Sequence, residues 1–293
     1  MARLTRRSTV AALAGLPFWA GGWSGGSTRA AGTIDCGATT PSAGGRAAAA
    51  TPVAMRAARF PATGGTLTVF AAASLTDAFT EMKHDLEASH PSLTVTLSFG
   101  GSQLLVTQIQ QGARADILAT ANLSTMQAAE ASGNLVGEPV AFAANSLTIV
   151  VPTANPGDVA SEQDLAKPGL KLVLAQAAVP VGAYSRQAVC AYGGQAFADK
   201  VAANLVSEEE DVREVLAKVQ LGEADAGIVY QTDALAGGDK VDEVDIAAGA
   251  NQLAAYPVAA VKGGNDALAA AFIAYLLGPD GRDVLQRHGF QAP

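Results

Sequence analysis

From Thr66 onward the chain alternates short apolar runs with stretches of helical rhythm, and this alternation limits the fold more than any other feature. Leu67–Ala72 is an apolar run suited to a buried strand. It is followed by Ala78–Glu87, where Phe79, Met82 and Leu86 fall at helical spacing, and Pro91 ends that segment. Leu93–Phe99 alternates apolar and polar residues as a strand does, and Leu104–Gln111 is helical up to Gly112. Ala115–Ala119, Leu147–Val151, Leu170–Ala175, Ala226–Tyr230 and Tyr256–Val261 read as further strands. Asp211–Leu221 and Ala267–Leu277 read as helices, each closed by glycine. Strand–helix alternation on this scale predicts an α/β architecture with mainly parallel sheets. No internal repeat of fixed period is visible.

The chain has 293 residues, 49% of them hydrophobic. That is enough for one or two sizeable cores and excludes a disordered or fibrous chain. Its size exceeds what one core usually serves, so two lobes are expected. The 2 cysteines, Cys36 and Cys190, exclude a disulfide scaffold or a cysteine-rich zinc module. Cys190 reads as a small buried apolar residue or a free thiol, with pairing to Cys36 left open. Charge is unevenly spread. Residues 1–65 hold seven basic residues and one acid, Asp35; removing these from the totals of 19 and 27 leaves 12 bases against 26 acids. A body carrying about −14 offers no basic stripe, so no nucleic-acid partner is expected.

Residues 1–31 have the anatomy of an export signal: the basic Met1–Arg7, the apolar Val10–Ala20, then small residues through Ala31. The apolar part is too short to cross a bilayer about 30 Å thick as a helix. Arg6-Arg7 after Thr5 suggests a twin-arginine signal, although Thr9 stands where that signal usually has a bulky apolar residue. Asp35 directly before Cys36 argues against a lipid-anchoring motif. Residues 32–65, rich in Ala, Gly, Thr and Pro without apolar period, read as a flexible leader.

Two strand-to-helix junctions each carry a serine: Ser74, with Asp77 three residues on, and Ser102 after Gly100-Gly101. In open α/β sheets ligands sit beyond the carboxyl ends of strands, facing helix-start amides. Two hydroxyls there suit a small anion. The plainer reading makes both serines helix N-caps, with Ser74 and Asp77 forming a capping box.

An ordered series of segments between Leu67 and Phe290 resembles the periplasmic molybdate-binding proteins of ABC-type molybdate importers. Val69–Leu75 resembles that family's opening strand and first anion-binding serine, and Phe99-Gly100-Gly101-Ser102 its second serine segment. Ala115-Asp116-Ile117 and Asn145-Ser146-Leu147 stand where framework segments do. Val179–Tyr184 resembles a Pro-X-Gly-X-Tyr turn in which the residue between Pro and Gly, here Val181 where relatives often carry Ala, offers a backbone amide. Glu210–Arg213 resembles the helix start whose amide, here that of Val212, meets the ligand. Gly227–Tyr230 ends in a tyrosine whose phenol donates the last bond. Taken singly, Val212 is a core helix residue and Tyr230 a core or rim tyrosine with a satisfied hydroxyl.

The resemblance implies a two-lobed type II periplasmic binding protein, each lobe a mainly parallel sheet flanked by helices. Lobe 1 would comprise 66–143 and 257–293, and lobe 2 would comprise 144–256, with hinges near Ala143–Ser146 and Ala254–Pro257. Ser74, Ser102, Val181, Val212 and Tyr230 are then the ligand-binding residues for molybdate or tungstate. Molybdenum is present only as the oxyanion, without direct metal ligands, and no cofactor is expected. The partner is a membrane permease, and the protein is an exported, monomeric, non-catalytic carrier. The alternative is a same-fold carrier of sulfate, another oxyanion or a small organic acid. An enzyme is disfavoured because His84, His90 and His288 lack metal-ligand spacing and Ser102 lacks the glycine pattern of a nucleophile elbow. The acid run Glu208–Asp211 lacks calcium-loop spacing and reads as a solvated helix start, with Ser207 as its cap.

Overall fold

A computed structural model describes residues 32–37 and 59–293. The export signal read at 1–31, and the leader over 38–58, lie outside the described residues. The body opens with β1 (Gly65–Ala72), α1 (Thr76–Ser89), β2 (Leu93–Gly100), α2 (Ser102–Gln110), β3 (Ile117–Ala119) and α3 (Leu123–Ala131). A long strand, β4 (Leu135–Pro152), leads to β5 (Leu172–Ala175), α4 (Pro180–Ala203), β6 (Leu205–Glu209), α5 (Val212–Gln220), β7 (Ala226–Tyr230) and α6 (Gln231–Gly237). The chain returns through β8 (Val241–Val244) and β9 (Leu253–Val261) to α7 (Asp266–Leu277) and α8 (Pro279–Arg287).

The strands lie in the order β2-β1-β3-β9-β4-β7-β5-β6, with β8 paired to β4. Two parallel blocks, β2-β1-β3 and β7-β5-β6, sit at the ends of this order. Between them the pairs β3/β9, β9/β4 and β4/β7 are antiparallel. The sheet is therefore mixed, not mainly parallel. The expected parallel pairs exist, but the strands that carry the chain from one block to the other run against them. β4 serves both blocks: Leu135–Ser146 pairs with β9, and Leu147–Val150 pairs with β7. The expected hinge segments are partners in that ladder, with Ala143 opposite Tyr256 and Ser146 opposite Leu253.

Amphipathic spacing decides which helix faces are buried. In α1 the buried residues are Ala78, Phe79, Met82 and Leu86, and in α5 they are Val212, Val215, Leu216 and Val219. Each large side chain buried this way contributes about 1.5–3 kcal/mol. Phe79 packs its ring edge against Phe272 of α7 at 5.7 Å, which locks the returning helix onto the first block. Asp116 adds a polar tie. Its Oδ2 accepts from the Thr68 amide at 2.6 Å and its Oδ1 from the Asn265 amide at 2.6 Å, so one carboxylate joins β1 to the start of α7.

The stretch 32–37 departs from the free leader expected there. Ile34 is 2% exposed within the core, and Cys36 is disulfide-bonded to Cys190 of α4. The cysteines, 154 positions apart in sequence, are thus neither a free thiol nor a buried apolar filler. The acid run also differs. Glu208 and Glu209 belong to β6, and the cap of α5 is Asp211, whose Oδ1 accepts from the Arg213 and Glu214 amides. Ser207, inside the strand, caps nothing; its Oγ accepts from Lys218 Nζ at 3.0 Å. Among the described residues no helix is long and apolar enough to cross a membrane.

Candidate functional site

The carboxyl ends of β1, β2, β3, β5, β6 and β7 converge on one pocket. Its walls are Ala72-Ala73-Ser74, Gly100-Gly101-Ser102, Ala121, Val179-Pro180-Val181, Asp211-Val212 and Tyr230. All five residues expected from the sequence, Ser74, Ser102, Val181, Val212 and Tyr230, line it. The space open to the centre of a water-sized sphere is about 10 Å³. That is about the room one water molecule needs.

Helix starts form much of the wall. Ser74 lies in the 3-10 turn that runs into α1, and Ser102, Val181 and Val212 lie in the first turns of α2, α4 and α5. First-turn amides have no intrahelical acceptor, and the aligned peptide dipoles place partial positive charge there. Neither α2 nor α4 has a side-chain cap, so their leading amides stay available to the pocket. The Asp211 carboxylate is turned onto its own helix and satisfies the Arg213 and Glu214 amides.

Close packing fixes two of these turns. A Cβ on Gly182 would come within 2.0 Å of the Gln176 carbonyl oxygen, so only glycine allows α4 to start this near the end of β5. Arg186 braces the same turn, donating from Nη1 to the carbonyls of Ala175 (2.8 Å) and Gly182 (2.7 Å) while Nη2 pairs with Glu208. Across the pocket a Cβ on Gly101 would meet the Glu210 carbonyl oxygen at 2.3 Å. Gln103 Nε2 donates to that same oxygen at 3.2 Å. α2 therefore touches the lead-in to α5 directly.

Neither serine acts as a helix cap. Ser74 Oγ lies 2.9 Å from Tyr256 Oη, and Ser102 Oγ accepts from the Ala121 amide at 3.1 Å. The cap positions of α1 and α2 are Leu75 and Gly101, and Asp77 pairs with Arg213 instead of closing a capping box. Val212 combines both readings made for it: its side chain is core, and its amide belongs to the first turn of α5. Tyr230 departs from the plainer expectation. It is 1% exposed, and its hydroxyl makes no hydrogen bond of ordinary geometry, although the Tyr256 hydroxyl interacts with it. Burial first, and then the neighbouring Tyr256, Tyr184 and Asp233, hold that phenol well above its usual pKa, so it remains a proton donor.

Arg213, which follows Val212 in the chain, is already committed. Arg213 Nη2 lies 2.7 Å from Asp77 of α1 and its Nε lies 2.7 Å from Asp233 of α6. Both partners lie outside the acid run Glu208–Asp211. Sequence reasoning also missed Tyr256 and Asn145 behind Ser74. No local pattern marks either, since β9 and β4 bring them together across 111 positions.

The profile of the family described as "Bacterial extracellular solute-binding protein" matches residues 67–291. The chain belongs to that family. This solute-binding protein is 40% identical over 228 residues to the molybdate-binding protein ModA of Mycobacterium tuberculosis, covering 78% of this chain and 85% of that one. Its fold is that of the Azotobacter vinelandii periplasmic molybdate-binding protein, with a TM-score of 0.69 at 20% identity, covering 78% of this chain and 99% of that one. It is also that of the sulfate-binding protein SubI of Mycobacterium tuberculosis, with a TM-score of 0.68 at 18% identity and coverage of 78% and 86%. The solute-binding protein thus has a two-lobed α/β fold with its pocket where strand ends meet.

Proposed function

We propose that this protein captures molybdate, and tungstate with it, and delivers it to the permease of an ABC importer outside the cytoplasm. The observation that carries the reading is the Tyr230 hydroxyl, a buried donor without an acceptor of ordinary geometry, on a pocket otherwise walled by hydroxyls and helix-start amides. Leaving such a donor unpaired costs about 1–3 kcal/mol, so the pocket is built to receive an acceptor. The 40% identity to a molybdate-binding protein supports the choice of oxyanion.

In this reading Ser74, Ser102 and Tyr230 donate through hydroxyls and Val181 and Val212 through amides. Hydrogen bonds to a charged group contribute about 1.5–3 kcal/mol each, so a handful, less desolvation and closure, reaches micromolar affinity or better. The acidic body does not prevent this, because its exposed charges are screened over about 8 Å at physiological salt. Residues 66–143 and 257–293 form one lobe and 144–256 the other. They close about Ala143–Ser146 and Ala254–Pro257, and the closed form is what the permease recognises. The protein acts as a monomeric carrier without cofactor or catalysis, exported by its amino-terminal segment.

The shared fold with a sulfate-binding protein makes sulfate the second reading. A thermal-shift screen of molybdate, tungstate, sulfate, phosphate and amino acids separates the two. Stabilisation by molybdate and tungstate far beyond that by sulfate is expected; a response to sulfate alone transfers the function to the second reading, and a response to amino acids alone removes both.

A further inference from the structure

Ser74 and Tyr256 share a hydrogen bond of 2.9 Å in which either oxygen is able to donate. What lies behind Tyr256 sets the direction. Asn145 Oδ1 accepts from the Ser146 amide at 3.0 Å, which turns Nδ2 the other way. Nδ2 then donates to Thr232 Oγ1 at 2.8 Å and reaches Tyr256 Oη at 3.5 Å. Offered a donor on one side, the Tyr256 hydroxyl is placed to direct its own proton to Ser74 Oγ. The Ser74 proton is left to point away from Tyr256. Ser102 has the same polarity by simpler means, because its Oγ accepts from the Ala121 amide, which has only a proton to give.

We infer that Tyr256, oriented by Asn145, is a positioning residue that makes Ser74 a one-way donor toward the pocket and so favours oxyanions that carry no proton of their own. The inference rests on the pocket being an oxyanion site. Tyr256 is fully buried and held by ring contacts unrelated to its hydroxyl: edge-on to Phe290 at 5.3 Å, to Tyr230 at 5.8 Å and to Phe142 at 6.4 Å. Its oxygen is therefore free to serve orientation while its ring serves packing. In Tyr256→Phe the ring remains and Ser74 loses its donor, so the serine hydroxyl turns either way.

Titration calorimetry on the full chain tests this as a double-mutant cycle with Ser74→Ala, after the wild type has been shown to bind molybdate. Tyr256→Phe is expected to weaken molybdate about tenfold in the wild-type background and to have no further effect in the Ser74→Ala background. It is also expected to narrow the preference for molybdate over hydrogen phosphate, a change that loosened packing would not produce. Should Tyr256→Phe fail to fold, Asn145→Asp makes the same test, since a carboxylate there draws the Tyr256 proton away from Ser74. Unchanged affinity, or equal losses in both backgrounds, overturns the role of Tyr256 while leaving the oxyanion site intact. A wild-type chain that binds sulfate or amino acids but not molybdate removes the underlying reading as well.

Discussion

The pocket and the ion cluster beside it are built on opposite principles. The pocket presents neutral donors: hydroxyls of Ser74, Ser102 and Tyr230 and the first turns of α2, α4 and α5. The cluster holds full charges, and each is matched: Arg213 bridges Asp77 and the fully buried Asp233. Burial pushes the Asp233 carboxyl up to about 6 even though Arg213 opposes the shift. The contrast indicates how an acidic protein can hold a doubly negative guest. In the proposed function fixed dipoles face the guest, while Arg213 is spent on linking α1 to α5 and α6.

Four substitutions break or sharpen that contrast. The largest effect is expected from Arg213→Met, which leaves Asp233 buried without its partner and costs about 3 kcal/mol of stability at pH 8 by denaturant unfolding. Part of that loss should return at pH 5, where Asp233 takes up a proton. If Arg213 served the ligand instead, binding would vanish with stability unchanged. Next come Tyr230→Phe and Ser102→Ala, each expected to weaken molybdate about tenfold or more by calorimetry; Tyr230→Phe should change the melting temperature little, whereas Ser102→Ala, which leaves the Ala121 amide unpaired, should lower it by a few degrees. Asp77→Asn is milder, because Asp77 is partly exposed and Arg213 keeps Asp233. Stopped-flow measurements should show dissociation faster by about two- to fivefold.

The smallest effect concerns a carboxylate that no cation among the described residues balances. Glu162 is 2% exposed; its Oε2 accepts from the Ala247 amide and its Oε1 has no partner. Burial raises its pKa from 4.5 to about 7. The folded state therefore keeps a proton that the unfolded state releases, and stability contributed by this group falls as pH rises from about 4.5 to 7. Glu162→Gln should flatten that slope and raise the melting temperature by about 2 °C at pH 8. An unchanged pH profile would show that Glu162 is not the source.

Much of this was legible in the residues. Apolar runs and helical spacing located β1, α1, β2, α2, β3, β5, α5, β7, β9 and α7, because each buries one face whose period the sequence displays. The helix α4 was not legible: Gly193-Gly194 interrupts it, Gly194 has φ +65, and its apolar residues follow no single stripe. The full length of β4 was hidden because its first half, Leu135–Ala141, carries Gly137 and Pro139 and pairs with β9 through register shifts. At the site, strand-end positions made Ser74 and Ser102 visible, and likeness to a family made Val181, Val212 and Tyr230 visible. What sequence order conceals is the layer behind them. Asn145, Tyr256 and Ala121 reach the serines only through sheet pairing, and Asp233 meets Arg213 through helix packing.

In the proposed function neutral donors, not exposed cations, hold the dianion. Calorimetric titration of the wild-type chain with molybdate, at about 50 mM and about 500 mM sodium chloride, tests it most directly. One-to-one binding at micromolar affinity or tighter is expected, changing by no more than a few-fold between the two salts. Absence of binding, or an affinity that collapses at high salt as it does where exposed lysines and arginines carry the contact, would contradict it.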